Sequence, residues 1–162
     1  MKKVFVSLCM ASVLMGLSSC ASTKNAATLS SINGEWNIIE VNGTAVVPAP
    51  GQEFPYIGFD TKAGKVFGNS GCNRMMGTFE ADSLTPGALS FGPIGSTRMA
   101  CPDMQTEQMV LNALNKVKSY ETVSDQPEII ALCSEDGKKM LTLQKKDESQ
   151  VSLTDLSGCL LY

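Results

Sequence analysis

Turn-forming residues interrupt this sequence at short intervals: Asn42 with Gly43, Ala63 with Gly64, Gly68 to Gly71, Thr85 to Gly87, and Asp136 with Gly137. Between these breaks there is room for strands but rarely for a helix, and the turn chemistry is that of antiparallel hairpins. The pattern predicts strands over Asn33 to Val41, Tyr56 to Phe59, Lys65 to Phe67, Arg74 to Glu80, Ala88 to Phe91, Glu128 to Cys133 and Lys139 to Leu143. Thr44 to Glu53, with two prolines and a glycine, reads as a loop. One segment breaks the rhythm. Glu107, Val110, Leu114 and Val117 recur at helical spacing, and Met109, Leu111 and Ala113 widen the apolar side. Pro102 suits a first helical position, Asp103 the positive end of the helix dipole, and Lys116 with Lys118 the negative end.

Parallel strands need repeated crossover connections, which one helix cannot supply. The expected class is therefore α+β: a strongly curved antiparallel sheet or partly open barrel of about seven to eight strands packed around one α-helix. The domain is expected over residues 31–147. Residues 148–162 form a C-terminal tail, read as a terminal edge strand. A truncated internal repeat is the other reading, since Asp155 to Leu160 faintly echoes Ser31 to Trp36.

The N-terminus carries an address. Lys2 and Lys3 precede an apolar run from Val4 to Leu17, too short to cross ~30 Å of hydrocarbon as a permanent helix. Leu17, Ser18, Ser19 and Cys20 resemble the lipobox of bacterial lipoprotein precursors. The resemblance implies that residues 1–19 are a signal peptide, that Cys20 becomes the acylated first residue, and that residues 20–30 form a short tether. Acylation would make membrane lipid the first partner of this chain. Ala21 and Ser22 lack the aspartate that resembles an inner-membrane retention signal, and no acidic run follows Cys20. In a Gram-negative cell the expected location is the outer membrane, facing the periplasm.

Composition narrows the chemistry. Loss of Lys2 and Lys3 from 13 basic residues leaves 11 against 16 acidic ones, which argues against nucleic acid as a partner. The sequence contains no histidine. That removes Ser/His/Asp and Cys/His hydrolases and nearly all mixed Cys/His zinc sites. Carboxylate pairs and Ser/Lys dyads need no histidine, but no spacing favours either. No cofactor and no metal are expected.

Cys9 leaves with the signal and Cys20 is assigned to lipid, so Cys72, Cys101, Cys133 and Cys159 remain. Four cysteines allow three pairings, and an exported compartment makes disulfides their natural use. The expected bond is Cys72 to Cys101. If the other two pair, Cys133 joins Cys159 and ties the tail to the last hairpin.

Two motifs stand at the centre of the chain. Gly68 to Phe79, reading Gly-Asn-Ser-Gly-Cys-Asn-Arg-Met-Met-Gly-Thr-Phe, and Ser96 to Cys101 are followed by Glu107 inside the helix, and Asn33 to Trp36 opens the domain. With these residues, Leu29 to Lys146 resembles the META domain, also called the HslJ-like heat-shock domain. The resemblance implies an antiparallel sheet wrapped about one helix, a similarity to the cracked barrels of secretion-system pilot lipoproteins, and no established catalytic activity. Read physically, Asn73 can bond local backbone after the turn, the Thr97 hydroxyl can satisfy a free backbone group, and Arg98 can pair with an acid such as Glu107. Met75, Met76, Met99 and Met104 suit either core gaps or an adaptable apolar groove.

The candidate binding surface is Asn73, Arg74, Met75, Thr97, Arg98 and Met99, with an envelope protein or an apolar ligand as partner. The leading expectation is a membrane-anchored, non-catalytic binding or assembly factor. The alternatives are an enzyme acting on envelope polymers through a carboxylate pair and a purely structural stress protein with no discrete ligand.

Overall fold

The structure, a computed structural model, describes residues 28–48, 54–82, 84–101, 104–123 and 126–146. Its elements are β1 (Gly34–Val41), β2 (Thr44–Ala45), β3 (Tyr56–Asp60), β4 (Lys65–Asn69), β5 (Arg74–Glu80), β6 (Ser90–Phe91), β7 (Gly95–Ser96), α1 (Gln105–Leu114), β8 (Val117–Val123), β9 (Gln126–Ser134) and β10 (Lys139–Lys145). A short 3-10 turn, Leu29–Ile32, leads into β1.

Antiparallel pairing runs β6-β5-β4-β3-β1-β10-β9-β8, with β2 on β1 and β7 on β5. The two ends of this path meet. Ala88, just before β6, bridges Ser119 of β8, with the Leu89 N–H donating to the Lys118 carbonyl at 3.1 Å and the Tyr120 N–H to the Gly87 carbonyl at 2.8 Å. The sheet thereby comes close to a closed barrel, which satisfies edge groups that an open sheet would leave bare. The expected α+β class and curved sheet are what the chain forms.

Alternation along the strands fills the interior. Trp36 and Ile38 of β1, Ile57 and Phe59 of β3, Met75 and Phe79 of β5, Ile130 and Leu132 of β9, and Leu141 and Leu143 of β10 join one core. Each such side chain contributes about 2 kcal/mol by leaving water. Phe59 and Phe79 meet edge to face at 5.5 Å, and the Trp36 indole N–H donates to the Ile32 carbonyl at 2.8 Å. The helix completes this core. Its Val110, Ala113 and Leu114 are buried within the same cluster. Register places the β4–β5 turn, the start of β8 and the β9–β10 hairpin at one end of the barrel, so α1, which runs from the first to the second, spans that end.

Three readings of the sequence change. The helix stops at Leu114, and Val117 to Lys118 belongs to a strand that the sequence pattern concealed. The reason is a bulge between Val117 and Ser119, which turns Val117 and Tyr120 inward at a three-residue spacing that imitates a helix. Secondly, Gly68 and Asn69 are strand rather than turn. The third change adds the short β2 and β7, of two residues each, which carry no periodicity to read. Pro102, Asp103 and the expected C-terminal strand over residues 148–162 lie outside the described residues.

Gly68 shows why a glycine is required within a strand. Its φ is +155, and an added Cβ would run into the Tyr56 carbonyl oxygen on β3. Gly68→Ala should therefore cost about 2 kcal/mol or more in urea unfolding, whereas Gly137→Ala, in open space at φ +77, should cost about 1 kcal/mol. Equal losses for the two variants would contradict the close approach.

Candidate functional site

The turn between β4 and β5 is built by its own side chains. Asn69 Oδ1 accepts the Gly71 N–H at 2.7 Å, and both the N–H and the hydroxyl of Ser70 donate to the Asn73 carbonyl, at 2.9 and 3.1 Å. Gly71 packs against Thr106 and the Glu107 backbone, so the turn rests directly on the first turn of α1. Ser70 and Asn73 are fully buried as a result.

Asn73 then reaches in two directions. Its N–H donates to Glu107 Oε2 at 3.0 Å, and its Nδ2 donates to the same carboxylate, at 3.1 Å to Oε1 and 2.9 Å to Oε2. The other Nδ2 proton goes to the Met99 carbonyl at 3.2 Å. Its Oδ1 accepts the Thr97 hydroxyl at 2.8 Å and the Met99 N–H at 2.7 Å. An asparagine side chain offers two donors and two acceptor lone pairs, and here all four are engaged. These partners also fix which way the amide points.

Thr97 extends the network. Its hydroxyl accepts the Arg74 N–H at 3.1 Å while its own N–H donates to the Arg74 carbonyl at 3.0 Å. Four residues on, Cys101 is bonded to Cys72 with α-carbons 6.3 Å apart. The segment from Thr97 to Cys101 is thus clamped to the β4–β5 turn by backbone pairing, by the Asn73 amide and by a disulfide.

The expected surface divides when placed in space. Asn73 and Met75 turn inward, at 0% and 3% exposure, and leave the contact surface to Arg74, Thr97, Arg98 and Met99, which are exposed. The acid expected for Arg98 is taken instead: Glu107, itself only 5% exposed, is bonded by Asn73. Asn73 lies in the interior against this carboxyl and donates to it from both its N–H and its amide, whereas Arg98 is exposed to water. The Thr97 hydroxyl does satisfy a backbone group, that of Arg74.

The expected Cys72–Cys101 bond is present. Cys133 is buried on β9, while Cys20 and Cys159 lie outside the described residues. Among the described residues no three His, Cys, Asp or Glu side chains converge as a metal site, and every buried side-chain nitrogen and oxygen has a hydrogen-bond partner. Sequence reading missed the Asn73 to Glu107 pair, 34 residues apart, because no local spacing encodes a long-range contact.

Comparison with other proteins agrees with this architecture. The family model of the META domain matches residues 17–147. No curated protein matches the chain at a significant level. A protein from Burkholderia xenovorans, solved by NMR, is 26% identical with a TM-score of 0.59, over 91% of this chain and 100% of its own. A second NMR structure is 22% identical with a TM-score of 0.55, over 73% of this chain and 94% of its own, and shares the fold.

Removing the Asn73 side chain takes the amide donor from the Glu107 carboxylate, leaving the residue 73 N–H, and frees the Met99 backbone together. Asn73→Ala should lower unfolding free energy by about 3 kcal/mol, and Thr97→Val by about 1 kcal/mol. A double-mutant cycle of Asn73→Ala with Glu107→Leu, read by urea denaturation, should give a coupling above about 1 kcal/mol. Additive losses would mean that the two side chains act independently.

Proposed function

The chain belongs to the META domain family, and on that premise we propose that it is a lipid-anchored, non-catalytic binding or assembly protein of the cell envelope. The observation that carries the reading is the saturation of Asn73. The polar residues that the central motifs contribute to the interior are consumed in holding the turn, the Thr97 to Cys101 segment and the helix together. Glu107 accepts hydrogen bonds from Asn73 and sits at 5% exposure, which does not suit an acid or base that must meet a substrate. The absence of histidine from the whole sequence supports the same view.

What the motifs offer outward is a ridge of Arg74, Thr97, Arg98 and Met99 on a rigid, disulfide-tied support. An exposed methionine flanked by guanidinium groups suits contact with an apolar or acidic surface on an envelope partner. The lipobox-like Leu17 to Cys20 supports the anchor, and the rest of the reading follows from the address it supplies.

Two measurements test this reading. Mass spectrometry of the protein purified from its own host should find Cys20 at the N-terminus carrying a thioether-linked lipid, and an unmodified Cys20 would remove the anchor. In intact envelopes a photoreactive residue at position 98 should give a defined adduct that one at position 135 does not, and equal labelling would remove the binding ridge. Turnover of cell-wall glycans or peptides abolished by a single Asp, Glu or Ser substitution would favour an enzyme instead.

A further inference from the structure

The outer face of the barrel carries an apolar patch that the ridge above does not use. Cross-strand register lines up Glu35, Gly58, Phe67, Met76 and Gly95 in one row across β1, β3, β4, β5 and β7. Phe67 is 41% exposed and Met76 68% exposed, although both sit in the middle of regular pairing. The glycines beside them keep the row low. The Phe67 ring lies flat over Gly58, where an added Cβ would collide with it. Two large apolar side chains are therefore open to solvent side by side on this face.

Charges frame this row without favouring either sign. Lys65, Lys146 and Arg74, at which this face meets the ridge, lie on the same face as Glu35, Asp60 and Glu80, by the alternation of their strands and by the 3.5 Å contact of Lys146 with Glu35. Lys146 also caps the Tyr56 ring at 4.6 Å, which places a cation over an aromatic at the rim. Balanced charge around an apolar centre complements the interface of a zwitterionic bilayer, where methionine and phenylalanine enter the acyl boundary and cations meet phosphate.

The position of the patch matters as much as its chemistry. Thr28 and the turn at Leu29–Ile32 enter the barrel beside Gly34, one residue from Glu35 in the same row. Met76 lies three strand spacings away, about 15 Å. The backbone from Cys20 to Thr28 spans at most about 28 Å when fully extended. A chain held at Cys20 therefore keeps this face within reach of the membrane.

We propose that the Phe67 and Met76 face lies on the bilayer surface beside the anchor, so that the protein is oriented by its sheet as well as held by its lipid. The inference rests on the anchor reading given above. Two side chains cannot supply the roughly 800 Å² per partner of a stable protein interface. They suffice for a surface already held close, where tethering replaces affinity with effective concentration. Orientation would turn the β9–β10 hairpin, whose strands lie three to five pairings around the sheet from β4 and β5, away from the membrane.

The test places a tryptophan at Met76 or at Glu135 of the lipidated protein, in vesicles of phosphatidylcholine brominated on its acyl chains. Quenching of Met76→Trp by about twofold, with Glu135→Trp unchanged, is the expected result. Equal quenching of both, or none of either, would overturn the proposal. The same pair is measured on the mature chain with a hexahistidine tag in place of Cys20, held on brominated vesicles that contain nickel-chelating lipid. That second arm reads the patch even if the native protein proves not to be lipidated, since the tag supplies the tether. Circular dichroism of both variants, matching the parent, excludes unfolding as the source of the difference.

Discussion

One asparagine decides how the barrel and the helix are joined. Asn73 sits at the start of β5, and its donors hold the Glu107 carboxylate of α1 while its acceptor oxygen holds Thr97 and Met99. A ten-residue helix has little stability of its own, so its position has to come from tertiary contacts. The apolar face of α1 supplies the larger part of the free energy by burying Val110, Ala113 and Leu114. The Asn73 to Glu107 pair supplies direction, because a buried carboxylate tolerates only the placement that satisfies it. Cys72 with Cys101 acts on the same joint from outside. In the chain-entropy description its 29-residue separation stabilises by about 3.6 kcal/mol through the unfolded state, whereas the hydrogen bonds act in the folded state.

Much of the fold is legible in the sequence because local chemistry and global structure agree. Asn42 with Gly43 turns β1 into β2, and Asp136 with Gly137 turns β9 into β10, each as a hairpin pattern requires. Asp136 receives the Ser134 hydroxyl and the Lys138 N–H, and these bonds hold its carboxyl below the usual range. Disagreement arises where a strand departs from strict alternation. The bulge in β8 hid that strand inside a helical pattern, and closure of the barrel through Ala88 and Ser119 has no sequence signature at all.

The site was legible in outline and not in its orientation. The two central motifs do come together around the Cys72–Cys101 bond, as their cysteines suggested. Which side chains face inward could not be read, because the β4–β5 turn sets the phase of Asn73 and Met75 through the bonds of Ser70 and Asn69. Spacing alone gives a residue's neighbours along the chain. It does not give the partner of a buried carboxylate, and a nearby arginine was the obvious wrong choice. The division that results is the basis of the functional reading: polar motif residues turned inward act as a joint, and Arg74, Thr97, Arg98 and Met99 remain for contact.

Native-state hydrogen exchange at the Asn73 amide tests the central claim most directly, since that N–H donates to Glu107 Oε2 across the joint between barrel and helix. If the joint is as described, the Asn73 amide exchanges only by global unfolding. Its opening free energy and its denaturant dependence then match those of Leu132 and Leu143 in the core strands. Exchange of Asn73 through a local opening several kcal/mol below that of the core strands, with little denaturant dependence, would contradict it.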